Sequence, residues 1–107
     1  NKGDLSLERL VEVTSVNFSK TFGFYPQKGS TLPGTDADFT IADMNCEWTI
    51  NVQSDDELYS KCKVSPYNGK TIKGKVTHTI VRGRVIMEDG IVNCEPGYGK
   101  FCVPNTK

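Results

Sequence analysis

Apolar residues recur with helical spacing near the start of the chain. The residues that share this spacing are Leu7, Leu10, Val11 and Thr14. Steps of three and four residues place side chains on one face of an α-helix. Ser6 is a suitable N-cap, and Glu8 lies in the first turn, where the helix dipole favours negative charge. The pattern predicts an amphipathic helix with this face buried.

A second, shorter helix is predicted directly after the first. Asn17 is a candidate N-cap for a helical segment over residues 18–22. Gly23 would end that segment, because glycine adopts the left-handed conformation at little steric cost. Pro26 then prevents the helix from continuing.

From Gly29 onward the period becomes strand-like. In residues 38–43, Phe39 and Ile41 point to the same side. The cleanest strand pattern follows, with apolar positions at Cys46, Trp48, Ile50 and Val52 alternating with polar positions at Glu47, Thr49, Asn51 and Gln53. Two separate strand segments are therefore predicted here.

The second half of the chain predicts a small antiparallel meander. Ser54 and Glu57 form a candidate capping box for one helical turn ending near Lys61, and a turn-rich loop follows. Strands are predicted over residues 75–81, 84–88 and 91–93. Their connections, Arg82-Gly83 and Asp89-Gly90, are of the type that joins hairpins.

The predicted fold class is therefore α+β, with an N-terminal helix followed by a small, mostly antiparallel β-sheet. Residues 94–107 contain Pro96, Gly97, Gly99 and Pro104 without periodicity, which predicts an irregular tail. Residues 1–28 form the helical part of this division and residues 29–93 the β-rich part.

The amino-acid composition mainly excludes classes of partner and site. A chain of 107 residues supports one small domain with a thin core. Thirteen basic and thirteen acidic residues are interleaved, so neither nucleic acid nor a membrane is an expected partner. The first residues contain no apolar signal core, so we expect a cut end and a cytoplasmic location. The four cysteines, Cys46, Cys62, Cys94 and Cys102, have no short metal-binding spacing, which favours free thiols.

Candidate chemistry is sparse, and no catalytic, cofactor-binding or metal-binding residue is predicted. His78 is the sole histidine and follows the pattern of a half-buried strand residue. Asp36, Asp38 and Asp43 lack the spacing of a calcium loop, so turn and strand-edge roles are expected. The stretch from Gly69 to Lys75 has the gap of a phosphate-binding loop but lacks the Ser or Thr after the lysine.

Aromatic residues raise one further alternative. Trp48, Tyr59 and Tyr67 could line a ligand groove or anchor the core, and a chain of this size favours the core. A cysteine-based zinc module is a weaker hypothesis, which metal analysis of the purified protein would test.

Several segments in a consistent order resemble the cyclic amidohydrolases, the group of allantoinase, dihydroorotase and hydantoinase or dihydropyrimidinase. They are LVEVTSVN at residues 10–17, Phe22-Gly23, Lys28-Gly29, PGTDADF at 33–39, SKCKVSPYNG at 60–69, GKVTHTIVRGRVI at 74–86 and Asp89-Gly90. One departure is Phe18, which stands where the family usually has a proline, and this leaves the local helix start open. The tail after Asn93 matches only loosely.

The resemblance implies that residues 1–28 are the helical end of a missing barrel. Residues 29–93 would be an incomplete part of the accessory β-sandwich, and 94–107 its tail. It implies a full-length enzyme that hydrolyses a cyclic amide with zinc or another divalent metal pair, bound upstream of this segment. The implied partner is the missing barrel domain of the same enzyme, and a homo-oligomer is a further option. This segment itself would hold no cofactor.

Two functional hypotheses follow. The first is a non-catalytic C-terminal domain of such an enzyme, acting on allantoin, dihydroorotate or a hydantoin. The second is a free-standing interaction module that recruits a partner strand through an exposed sheet edge.

Overall fold

A computed structural model describes residues 3–54 and 61–105 of the chain. Contacts divide the chain into two compact units. Unit 1 comprises Asn1–Asp38, Val81–Gly83 and Glu95–Lys107, and unit 2 comprises Phe39–Ile80 and Arg84–Cys94. Unit 1 is therefore assembled from three stretches that are far apart in sequence. The assignment of residues 1–28, 29–93 and 94–107 to a barrel end, an accessory domain and a tail stays a prediction.

The N-terminal helix of unit 1 begins as predicted. Helix α1 spans Leu7–Val11, and the Ser6 side-chain oxygen accepts a hydrogen bond from the Arg9 N–H at 3.2 Å. Glu8 lies in the first turn, and hydrogen bonds from its own backbone amide and from Ser6 hold the pKa of its carboxyl below the ordinary value. The N-cap at Ser6 is confirmed.

The predicted break at Asn17 is wrong. A π-helical turn over Glu12–Val16 leads directly into helix α2 over Asn17–Thr21. Asn17 is itself helical, and its backbone N–H donates to the Glu12 carbonyl. A proline at position 18 would push the preceding residue towards extended backbone, but Phe18 imposes no such restriction. The segment ends at Gly23 with a φ of 76°, as predicted.

The prediction that the apolar helix face is buried is also wrong within this chain. Leu7, Leu10, Val11 and Thr14 are all exposed. The spacing is amphipathic, yet no part of the described chain covers the face. The spacing of apolar residues predicts which side chains share a helix face, but it does not predict what packs against that face.

Unit 2 is built on a four-stranded antiparallel sheet in the order β1-β2-β3-β4. The strands are β1 (Phe39–Thr49), β2 (Thr71–Val81), β3 (Arg84–Glu88) and β4 (Ile91–Val92). The meander and the α+β fold class are confirmed. Three predicted boundaries change: the two separate strand segments before residue 54 are one strand that ends at Thr49, β2 begins at Thr71, and β4 ends at Val92.

Strand β1 stays continuous because a bulge absorbs its irregular middle. Asp43 pairs with Lys75 and Glu47 pairs with Lys73, so three residues of β1 face only Gly74 of β2. The Asp43 carboxylate accepts hydrogen bonds from the backbone amides of the next residues, Asn45 at 2.8 Å and Cys46 at 3.3 Å. Gly74 has a φ of 108°, which glycine adopts readily opposite such a bulge.

Two tight turns connect the later strands as predicted. Arg82 and Gly83 have φ values of 48° and 78°, and Asp89 and Gly90 have 47° and 84°. Positive φ at both central residues matches the twist of the flanking strands. Residues 93–105 contain no helix or strand, in agreement with the predicted irregular tail.

The core of the described residues is thin. Val52, at 2% exposed, is the buried apolar residue, and Ser19, at 4%, is the buried polar one. Cys46, Trp48 and Ile50 are half-buried and alternate with exposed residues, as expected for the strand pattern. The Ser54–Glu57 capping box cannot be compared, because Glu57 lies outside the described residues. None of the described helices is long and apolar enough to span a membrane.

Candidate functional site

A cluster of charged side chains in unit 1 is the most developed polar arrangement in the described residues. Lys28 Nζ lies 2.8 Å from Asp36 Oδ2 and also pairs with Asp38 Oδ2. Gln27 Nε2 donates to Asp36 Oδ1 at 2.5 Å, and the Asp36 backbone amide donates to the Gln27 carbonyl at 3.1 Å. The Lys28 ammonium is thus held between two carboxylates. We call Lys28, Asp36 and Asp38 the Lys28 cluster.

The β2–β3 turn is tied to the same cluster. The Arg82 backbone N–H donates to Asp38 Oδ1 at 2.8 Å, and the Gly83 N–H donates to the Ala37 carbonyl at 2.8 Å. Asp38 therefore satisfies the Lys28 ammonium with one oxygen and the turn backbone with the other. Arg82 also contacts Tyr98, which brings the C-terminal segment to the cluster.

The cluster shifts the pKa of two of its members. Burial by itself would lower the pKa of Lys28, but hydrogen bonds and attraction from Asp36 and Asp38 outweigh it and raise the pKa above 10.5. The hydrogen bond from Lys28 is the main cause that lowers the pKa of Asp36 below 3.8, against a smaller opposing effect of burial. Gln27 and the Arg82 charge lower it further. Both groups are therefore charged at neutral pH.

These directions predict a specific loss of stability in acid. A carboxyl with a depressed pKa in the folded state stabilises the fold above its ordinary pKa, and this stability is lost as the pH falls through the lower, folded value. We expect the stability difference between the wild type and Asp36→Asn to be constant at neutral pH and to shrink below pH 3.8. Urea unfolding across this range measures it, and a difference that stays constant in acid would contradict the shift. Lys28 also stabilises the fold, but its pH dependence runs the other way: its contribution is complete below pH 10.5 and is lost as the pH rises through the higher, folded pKa.

Lys28 also lines three clefts of unit 1, with volumes of about 280, 360 and 350 Å³. The first has Phe24, Phe101 and Lys100 in its walls. The second runs along the π-helical turn, and the third includes Ser19 and Cys102. Because both carboxylates already neutralise Lys28, the cluster ties chain segments together and offers no unpaired base or nucleophile to a substrate.

His78 lies on β2, half-buried as the strand pattern predicts. Its Nδ1 lies 3.0 Å from Thr77 Oγ1, and its Nε2 lies 3.3 Å from Glu88 Oε1 on β3. The sequence neighbours Thr77 and Thr79 gave no hint of this carboxylate, because it comes from the adjacent strand. The described residues contain no group of three or more His, Cys, Asp or Glu side chains able to hold a metal ion. This part of the chain therefore does not fit the metal pair implied by the resemblance.

The three aspartates divide between two roles. Asp43 supports the bulge of β1, in agreement with a turn or strand-edge role. Asp36 and Asp38 instead form the ion pairs with Lys28, which sequence reasoning missed. Lys28 precedes them by eight and ten residues, and no local rule links residues across such a loop.

The remaining candidates belong to the structure of unit 2. Lys75 Nζ lies 5.2 Å from the centre of the Trp48 ring, and Trp48 Nε1 donates to the Gly74 carbonyl at 3.0 Å. Gly74 and Lys75 thus lie within β2, as expected for a chance match to a phosphate-binding loop. Tyr67 is exposed, and Lys70 Nζ lies 5.3 Å from the centre of its ring. The prediction that Tyr67 anchors the core is therefore wrong. Tyr59 lies outside the described residues.

The cysteines contribute no recognisable site. Cys46 is half-buried in β1, and Cys102 is exposed, with its Sγ 3.8 Å from the Lys100 carbonyl. Both keep unbridged thiols, as predicted.

Comparison with known proteins gives a consistent result. The model of the amidohydrolase family matches residues 1–86. An L-hydantoinase from Paenarthrobacter aurescens is 44% identical over 101 residues, which are 94% of this chain and 21% of that protein. A dihydroorotase from Pyrococcus furiosus is 46% identical over 96 residues, which are 90% of this chain and 22% of that protein.

Solved structures agree. The L-hydantoinase (dihydropyrimidinase) from Arthrobacter aurescens superimposes with a TM-score of 0.87 at 44% identity. The match covers 94% of this chain and 22% of that one. The chain therefore spans about a fifth of the length of the relatives that it matches.

Proposed function

The chain belongs to the amidohydrolase family, and from this membership we propose that it is a non-catalytic C-terminal part of an enzyme that hydrolyses a cyclic amide. The observation that carries the proposal is the match of nearly the whole chain to about a fifth of each relative. The described residues gather no metal ligands of the kind that such hydrolysis requires. The catalytic residues and the metal pair would then lie in the remaining four fifths.

The role proposed for this part is to support the rest of the enzyme through the apolar face of its helix. Leu7, Leu10 and Val11 are exposed in the described chain. Phe18 and Phe22 are also exposed, and their rings contact each other at a tilt of 39° with centroids 4.7 Å apart. Burial of apolar surface stabilises by about 25 cal/mol per Å². A face with five large apolar side chains is therefore suited to pack against another part of the same protein.

Hydantoins and dihydroorotate are the substrates favoured by the names of the relatives, and allantoin is a third candidate of the same chemical class. All three contain a cyclic amide bond. None of the described residues is proposed to contact substrate.

The test compares this chain alone with the complete enzyme encoded by its gene. We expect the isolated chain to open none of the three rings above the uncatalysed rate, and the complete enzyme to open at least one in a metal-dependent reaction. Ring opening by the isolated chain at an enzymatic rate would contradict the non-catalytic role. Absence of ring opening by a folded, metal-loaded complete enzyme would contradict the proposed activity.

A pair of variants of the complete enzyme tests the supporting role. Leu10→Asp places a charge on the apolar face, whereas Arg9→Asp places the same charge at a polar position one residue away. We expect Leu10→Asp to lower the yield of soluble, active enzyme strongly and Arg9→Asp to change it little. Equal effects of the two variants would argue against packing through this face.

The alternative of a free-standing interaction module is less well supported. β1 is an edge strand of the described sheet, but the bulge between Asp43 and Glu47 interrupts its regular backbone. Bulges of this kind blunt an edge against strand addition.

A further inference from the structure

The C-terminal segment from Tyr98 to Asn105, here called the strap, is held at its first residue by Arg82. The Arg82 guanidinium carbon lies 4.4 Å from the centre of the Tyr98 ring, and Nη2 donates to the Tyr98 carbonyl at 2.5 Å. The Tyr98 hydroxyl donates to the Val81 carbonyl at 3.0 Å. Three contacts thus fix this end of the strap to the β2–β3 turn.

The other end is fixed to the end of the helical segment. The Asn105 backbone N–H donates to the Gly23 carbonyl at 2.8 Å, and Asn105 Nδ2 donates to the Tyr25 carbonyl at 3.4 Å. Residues 98–105 therefore have two points of attachment, both within unit 1.

Between these attachments the strap buries very little. Phe101 is 92% exposed and Val103 is 73% exposed. The same stretch lines the cleft of about 280 Å³ together with Phe24 and Lys28. A segment whose apolar side chains are exposed opens at low free-energy cost compared with a packed core.

The identity of residue 82 supports a specific role for this attachment. Arg82 has a φ of 48°, a conformation that is uncommon for residues other than glycine, asparagine and aspartate. The equivalent position of the other turn is Asp89, with a φ of 47°, which fits that preference. Arginine is a poor choice for the turn itself, whereas its guanidinium makes the contacts with Tyr98.

We propose that the strap opens as a separate unit, that the Arg82–Tyr98 contact controls this opening, and that opening uncovers Phe24 and Lys28, which line the cleft of about 280 Å³ together with the strap. The helical segment and the sheet stay folded when the strap opens. This inference concerns unit 1 alone and does not depend on the substrate of the complete enzyme.

Amide hydrogen exchange of the complete enzyme encoded by its gene, resolved to single residues by mass spectrometry with fragmentation of the exchanged peptides, tests the proposal. Arg82→Asn removes the guanidinium while asparagine still accepts the left-handed backbone. Loss of one cation–π contact and one hydrogen bond predicts about a tenfold faster exchange of the Asn105 amide. The Asn93 amide, which donates to the Ile86 carbonyl in the sheet, should keep its rate.

Asp89→Asn is the matched control, because it changes the same position of the other turn and touches no part of the strap. It should leave the exchange rate of the Asn105 amide unchanged. Tyr98→Leu removes the contact from its other side and should reproduce the effect of Arg82→Asn, while the double variant should add little further. The proposal is overturned if Arg82→Asn leaves the Asn105 rate unchanged, or if the Asn105 and Asn93 rates rise by the same factor.

Discussion

Replacement of Gly29 with alanine is expected to destabilise the fold by about 3 kcal/mol, from overpacking and from a left-handed backbone that alanine disfavours. Gly29 has a φ of 74°, and a β-carbon there would lie 2.5 Å from Ser19 Oγ and 2.9 Å from the Ser15 carbonyl oxygen. The same β-carbon would lie 2.7 Å from Ser19 Cβ, a contact that rotation of the Ser19 hydroxyl does not relieve. The Ser15 carbonyl belongs to the helical backbone and cannot move without distorting the π-helical turn.

Gly34→Ala separates the two causes of this loss. Gly34 also has a left-handed φ, of 92°, but a β-carbon there would meet no described atom within 4 Å. We expect this control to lose only about 1 kcal/mol, the cost of the left-handed backbone alone. Urea unfolding followed by circular dichroism measures both variants. Equal losses would mean that the close approach of Gly29 to the helix contributes nothing to stability.

Removal of the Asp38 carboxylate is expected to cost about 2 kcal/mol, because hydrogen bonds to charged groups contribute more than neutral ones. One oxygen of Asp38 pairs with Lys28, and the other accepts the Arg82 N–H at 2.8 Å. The side chain is only 30% exposed, so water compensates incompletely for the lost partners. Asp38→Ala therefore loosens both the loop before β1 and the β2–β3 turn.

Glu12→Ala is the matched control for an exposed ion pair. Glu12 Oε2 lies 2.6 Å from Arg9 Nη1 on the helix surface, and its side chain is 49% exposed. Exposed pairs of this kind contribute up to about 0.5 kcal/mol. Asp38→Asn should fall between the two alanine variants, since it keeps an acceptor for Arg82 and loses the charge. A loss from Asp38→Ala as small as that from Glu12→Ala, measured by urea unfolding, would show that the Lys28 cluster is not a structural tie.

Local features were predictable where a few neighbouring residues determine the backbone. The Ser6 side chain accepts from the Arg9 amide three residues along the helix, and Asp89-Gly90 adopts the positive φ values of a tight turn. These short-range preferences gave the helix start, the two turns and the meander. The resemblance to the amidohydrolases also came from sequence alone, and the family comparison confirms it.

The predicted boundaries of helices and strands were wrong where contacts elsewhere in the fold outweighed the local sequence signals. β1 passes through residues 44–46 because β2 continues to pair beyond them, and Asp43 supports the bulge that results. The helical segment passes Asn17 because the π-helical turn supplies an alternative hydrogen bond to Glu12. Neither the bulge of β1 nor the π-helical turn has a sequence pattern that predicts it from neighbouring residues.

The sequence by itself determined the fold class, the turns, the helix cap and the family, because each depends on local backbone preference or on the order of short segments. Only the tertiary structure decided that Lys28 meets Asp36 and Asp38, that Glu88 reaches His78, and that Arg82 holds Tyr98. These contacts join residues whose separation in the chain carries no periodic signal. Within unit 1, folding brings the loop before β1 to Lys28 and the strap to Arg82; within unit 2, it places β3 beside β2.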